Sequence, residues 1–172
     1  MSEYTFVLNF SLPDRQADPE AYLDALYEAG CDDAAIGVGQ FGMIGLDFTR
    51  AAASAEEAIR SAIDNVRSAI PGATLVQAGP DMVGLTQMAE IFGFSRQNMR
   101  KYATGQSGGS ATFPSPVVLG DPSLWHLAEI VAWLGRHTSI QPPHGVLAVS
   151  QAAAKLNFAI ERERMKKILR LS

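Results

Sequence analysis

From Gly93 to Lys101 the chain reads Gly-Phe-Ser-Arg-Gln-Asn-Met-Arg-Lys. Five of these side chains have the chemistry of nucleic-acid readers. An Arg guanidinium can make paired hydrogen bonds to the edge of guanine, and a Gln or Asn carboxamide can do the same on adenine. Ser95 is a good N-cap, which predicts a helix over 96–102. On that helix Met99 and Tyr102 are three residues apart and share one face. Arg96, Gln97, Asn98, Arg100 and Lys101 are then left facing outward. Recognition helices offer their N-terminal turn to base edges, so Arg96, Gln97 and Asn98 are placed at the bases, and Ser95 at the helix start joins the DNA-binding set. Arg100 and Lys101 lie further along and suit phosphates. Taken alone, the same residues also describe an ordinary solvated surface helix, and the neighbouring elements decide between the two.

Those elements are a short preceding helix and a downstream hairpin. Thr86 is expected to cap a helix over Gln87–Phe92, with Met88, Ala89 and Phe92 facing inward. Gly93 can adopt the left-handed conformation that a tight helix–helix turn needs, and Phe94 plugs that turn. Further on, Phe113-Pro114-Ser115-Pro116-Val117 leads into Gly120-Asp121, which can turn a hairpin back to Leu124-Trp125. Trp133-Leu134 follows eight residues later. In this order, Leu85-Thr86, Gly93-Phe94-Ser95-Arg96, Phe113-Pro114-x-Pro116-Val117 and the two Trp residues resemble the excisionase/AlpA-type and MerR-type winged helix-turn-helix family. The resemblance covers about fifty residues within 82–137. It implies that Arg96, Gln97 and Asn98 enter the major groove and that the wing near Gly120 touches the DNA backbone. The family usually has an Arg after the first Trp, where this chain has His126. Ala128 stands where the family has a hydroxyl cap. The Gln106–Ser110 loop is longer than usual and is expected to order on DNA.

The flanking segments read differently. Tyr4, Phe6, Leu8 and Phe10 alternate as a strand does. Asp18-Pro19 starts a helix carrying Tyr22, Leu23, Leu26 and Tyr27, and Gly30 stops it. Ala34–Val38 and Phe41–Phe48 are expected strands. Ser54-Ala55-Glu56-Glu57 is a capping box that starts a second helix. Pro71-Gly72 ends it, and Ala73–Ala78 is a last strand. The β-α-β-β-α-β order predicts a ferredoxin-like sheet with both helices on one face. Gly79-Pro80-Asp81 reads as a hinge. After Gln141-Pro142-Pro143 a long amphipathic helix is expected from about Val146 to Arg170. The predicted fold is therefore α+β: a ferredoxin-like domain (1–80), a winged helix-turn-helix domain (81–137) and a C-terminal basic helix (138–172).

Charge follows the same division. Residues 1–80 hold four Lys/Arg against twelve Asp/Glu (−8), residues 81–137 four against four, and residues 138–172 six against two (+4). The total of −4 does not exclude DNA binding, because only the DNA-facing surface matters to phosphate. A neutral module implies modest non-specific affinity. No run reaches membrane length and no charged-then-apolar leader follows Met1, so a soluble cytoplasmic protein is expected. Cys31 is the only cysteine, which excludes an intramolecular disulfide and a cysteine-based zinc finger.

Other signals are weaker. Gly37-Val38-Gly39-Gln40-Phe41-Gly42 matches a dinucleotide-binding pattern, but that chemistry requires a helix N-terminus immediately afterwards, and a strand is expected there. His126, His137 and His144 lack partners at metal-ligand spacing. Neither a nucleophile–base set nor a cofactor site is apparent, so the expectation is a non-enzyme without cofactor. The resulting reading is a sequence-specific regulator of double-stranded DNA, expected to be a dimeric repressor with the C-terminal helix as dimerisation element or phosphate contact. Two alternatives stand beside it. In one, the protein is an antitoxin whose acidic first domain binds a basic toxin. In the other, it is a ligand sensor or enzyme built on the sheet.

Overall fold

The computed structural model describes residues 1–107, 109 and 111–171, so Gly108 and Ser110 of the expected Gln106–Ser110 loop lie outside the described residues. The protein is mixed α+β. Four strands form one antiparallel sheet: β1 (Ser2–Ser11), β2 (Ala34–Gly37), β3 (Met43–Ala52) and β4 (Thr74–Gly79), in the order β2-β3-β1-β4. β1 is central and pairs with β3 from Ser2↔Ala52 to Ser11↔Met43. Its alternating side chains put Phe6, Leu8 and Phe10 on one face, where they are buried against Ile44, Leu46 and Phe48 of β3.

Two helices connect the strands. A 3₁₀ turn, Pro19–Tyr22, runs into α1 (Leu23–Glu28), with the Asp18 side chain accepting from the Glu20 amide. Helix α2 (Ala55–Ala69) is capped by Ser54, whose Oγ accepts from the Glu57 amide at 3.2 Å, and it buries Ala58, Ile59, Ala62, Ile63 and Val66. The Gly37–Gly42 segment is the β2–β3 connection with no helix after it, so the dinucleotide pattern has no structural counterpart. Gly42 has φ 76°, and a Cβ there would collide with the Arg15 backbone.

After β4 come β5 (Met82–Val83), α3 (Leu85–Phe92), α4 (Arg96–Ala103), β6 (Trp125–His126), α5 (Leu127–His137) and α6 (Val146–Ile168). A second core gathers Val83, Met88, Met99, Trp125, Leu127 and Ile130. Helix α6 does not stand apart as a third segment. Its Val149, Ala152 and Ala153 are buried in the sheet's core, beside α2 and along the edge strand β4. Asn157 of α6 accepts from the Ala78 amide and donates to the Ala78 carbonyl, both at 2.8 Å, and so occupies the free edge of β4. Among the described residues no helix is long and apolar enough to cross a membrane.

Several boundaries differ from the sequence reading. Helix α3 starts at Leu85 with Gly84 as its N-cap, so Thr86 lies inside the first turn and caps nothing. The third strand starts at Met43 rather than Phe41 and runs to Ala52, because its partner β1 is equally long. No strand forms at Phe113–Val117. The expected hairpin reduces to one bridge, Val118↔Leu124, and Trp125–His126 pairs instead with Met82–Val83.

Candidate nucleic-acid interface

The turn between α3 and α4 has a direct physical cause. Gly93 ends α3 with φ 73° and ψ 30°, a left-handed conformation that costs a residue with a Cβ about 1–2 kcal/mol. The Phe94 amide then bonds back to the Ala89 carbonyl at 2.8 Å. Ser95 caps α4 by accepting from the Asn98 amide at 3.2 Å. One face of α4 is closed: Met99 is fully buried, and Tyr102 packs edge-on against Trp133 with ring centroids 6.1 Å apart. The other face carries Arg96, Gln97, Asn98, Arg100 and Lys101, all exposed. Among the described residues none of these five side chains forms a salt bridge or a side-chain hydrogen bond. The structure therefore brings the predicted reader residues onto one open helical face.

An aromatic cluster supports this helix. Phe113 lies edge-on to both Trp125 (6.2 Å) and Trp133 (5.1 Å). The indole N–H groups of Trp125 and Trp133 donate to the carbonyls of Pro114 (2.9 Å) and Thr112 (2.8 Å), fixing the segment that leads to the hairpin. At the hairpin tip Gly120 is exposed, but its amide donates to Ser123 Oγ at 3.3 Å and its carbonyl accepts from the same hydroxyl at 3.1 Å. The tip carries Leu119 and Asp121 and no Lys or Arg, so backbone contact there would have to come from neutral groups.

His126, expected among the DNA-binding residues, is tied inward through one ring nitrogen. Its Nδ1 lies 2.7 Å from Oδ1 of Asp81, whose side chain is 3% exposed. The other Asp81 oxygen accepts from Asn157 Nδ2 at 2.9 Å, and the Asp81 carbonyl accepts from the Leu127 amide at 2.7 Å. Asp81 thus joins the end of β4, the start of α5 and the middle of α6. The expected hinge is instead a buried junction that fixes the helix pair relative to the sheet.

Sequence reasoning missed this junction, and it missed Arg50. The Arg50 guanidinium is 9% exposed and binds Asp33 through two hydrogen bonds (2.7 and 2.9 Å). It also donates to Asn65 (2.7 Å), Ser61 (3.1 Å) and the Gly30 carbonyl (2.8 Å). All its partners are structural. Cys31 is buried nearby. Burial pushes its thiol from 9.0 up to about 11, partly opposed by the Arg50 charge, which makes it an unreactive core residue. Among the described residues no group of acids, His and Cys could hold a metal ion. No model of a known protein family, no curated protein and no solved structure matches this chain.

Proposed function

We propose that this protein binds double-stranded DNA sequence-specifically through a winged helix-turn-helix formed by residues 82–137 and acts as a dimeric transcriptional repressor. In this reading the β2-β3-β1-β4 sheet is a ferredoxin-like platform that carries the DNA unit. The observation that supports it is α4 itself. It is a capped helix with Met99 as its inward anchor, held to α3 by a left-handed glycine. It offers two Arg, one Lys, Gln and Asn to solvent with no internal partner. Ordinary solvated helices also expose polar groups to water, so the reading rests on the chemistry of these five side chains, which a helix entering a major groove requires free on one face. Dimerisation follows from size, since a single module of this kind covers too little DNA for operator-level affinity.

The test is in vitro selection of duplex DNA on the full chain at two salt concentrations. The expected result is a two-fold symmetric consensus whose half-site changes when Arg96, Gln97 or Asn98 is replaced by Ala. Arg100→Ala or Lys101→Ala should weaken all sequences alike and lower the salt slope by about one. Selection that returns no consensus, or one unchanged in the Arg96, Gln97 and Asn98 variants, removes the proposal.

A further inference from the structure

Helices α2 and α6 lie side by side on the sheet and leave a groove of about 1020 Å³ over β4. Its floor is apolar, built from Ile59, Ile63, Leu75, Leu156 and Ile160. Its rims are cationic: Arg60 and Arg67 from α2, Arg164 and Lys167 from α6, and Arg15 from the loop after β1. Three acids also line it, but two are already engaged. Glu56 pairs with Lys155 at 3.3 Å and Glu163 with Lys166 at 2.8 Å, leaving Asp64. Among the described residues none of the five rim cations makes a salt bridge. The groove is therefore positive, although residues 1–80, which supply most of its floor and one rim, have charges that sum to −8.

The balancing acids lie on the other side of α2. Asp18, Glu20, Asp24 and Glu28 are all exposed on the 3₁₀ turn and α1. Between them stand two outward apolar side chains, Leu23 (36% exposed) and Tyr27 (69% exposed). They are four residues apart and so neighbours on the helix surface. Helix α1 thus presents an apolar pair edged by carboxylates, the complement of a groove with an apolar floor edged by guanidinium groups. Both features belong to one helical layer, with α1 on one side of α2 and α6 on the other.

We propose that the occupant of the α2–α6 groove is helix α1 of a second copy of this chain. Two helical layers meet face to face across a two-fold axis near α2. Tyr27 and Leu23 of each protomer enter the partner's groove, and Glu20, Asp24 and Glu28 meet its Arg60, Arg67 and Arg164. A two-fold interface must be self-complementary, and a patch that carries both the acidic helix and the basic groove satisfies that condition. A cleft of one sign focuses the field on an incoming opposite charge, and a Tyr seated in an apolar pocket is a frequent energetic anchor. The proposal supplies the interface for the dimer named above, yet it is measured without DNA, so either idea can fail alone.

Sedimentation of the full chain over a dilution series, at low and high salt, reads the proposal directly. Wild type should be a dimer that weakens with salt. The triple variants E20K/D24K/E28K and R60E/R67E/R164E should each be monomeric, with association weakened about tenfold or more. Mixed, they should form a heterodimer about as tight as wild type, because each acidic surface again meets a basic one. That recovery also shows that both variants fold. Tyr27→Arg, a single change at an exposed site, should weaken the dimer in the same way. The proposal is overturned by a monomeric wild type, by a variant that dimerises unaided, or by mixing that restores nothing. It is also overturned if Phe158→Glu with Met165→Glu abolishes a dimer that the charge reversals leave intact, because the exposed side of α6 would then be the interface.

Discussion

Asp81→Ala tests how the helix pair is held to the sheet. In the folded protein the Asp81 carboxylate is almost fully buried and has two partners, His126 Nδ1 at 2.7 Å and Asn157 Nδ2 at 2.9 Å. Truncation strands one N–H of Asn157, whose other N–H still reaches the Ala78 carbonyl. A buried unpaired donor costs about 1–3 kcal/mol. His126 is 37% exposed, so water replaces most of its lost contact and it adds roughly 1 kcal/mol or less. The expected destabilisation is about 1–4 kcal/mol. Asp81→Asn should cost about 1 kcal/mol or less, because its carbonyl can still accept from Asn157 while its amide donates to a neutral His126. Urea unfolding followed by tryptophan fluorescence suits the question, since Trp125 adjoins His126 in β6. An Asp81→Ala cost below about 0.5 kcal/mol, or equal costs for Ala and Asn, would refute the junction.

Four further residues give outcomes that follow from the same structure. Arg50→Met leaves Asp33, Asn65 and the Gly30 carbonyl without their shared donor and should destabilise by about 2–4 kcal/mol, discounted from a fully buried pair because Asp33 is 30% exposed; calorimetry checks it. Cys31 should resist an aromatic disulfide reagent in the native state and react once unfolded in urea. With the folded pKa raised to about 11, its contribution to stability is complete below 9.0 and is lost as pH rises from there, so Cys31→Ala should flatten the alkaline fall of the melting temperature. Gly93→Ala has open space for its Cβ, so its cost is backbone strain alone, about 1–2 kcal/mol in urea unfolding. Ser95→Ala should cost about 1 kcal/mol.

The strands and long helices were legible because their signals are local. Alternating Tyr4–Phe10, the capping box at Ser54 and the left-handed Gly93 each act within one turn or one strand. The face of α4 was legible for the same reason: Met99 and Tyr102 fix the inward side by spacing alone. What escaped the sequence depends on contacts between distant residues. Nothing near Pro80 indicates that Asp81 will meet Asn157, 76 positions later. The one hint was a carboxamide between Leu156 and Ile160 on the apolar side of α6. Arg50 likewise looks like a surface residue at the end of a strand until α2 brings Asn65 to it. The summed −8 of residues 1–80 concealed a positive groove because Arg15, Arg60 and Arg67 are scattered in sequence and converge only once α6 adds Arg164 and Lys167.

The central claim is that the exposed face of α4 reads DNA, and the most direct measurement is fluorescence anisotropy on a duplex carrying the selected half-sites. Arg96→Ala, Gln97→Ala and Asn98→Ala should each weaken binding by about 1–3 kcal/mol, roughly 5- to 150-fold, and relax one base position, while binding to unrelated duplex stays as it was. Wild-type affinity in all three variants, with Arg100→Ala and Lys101→Ala equally silent, would contradict the account.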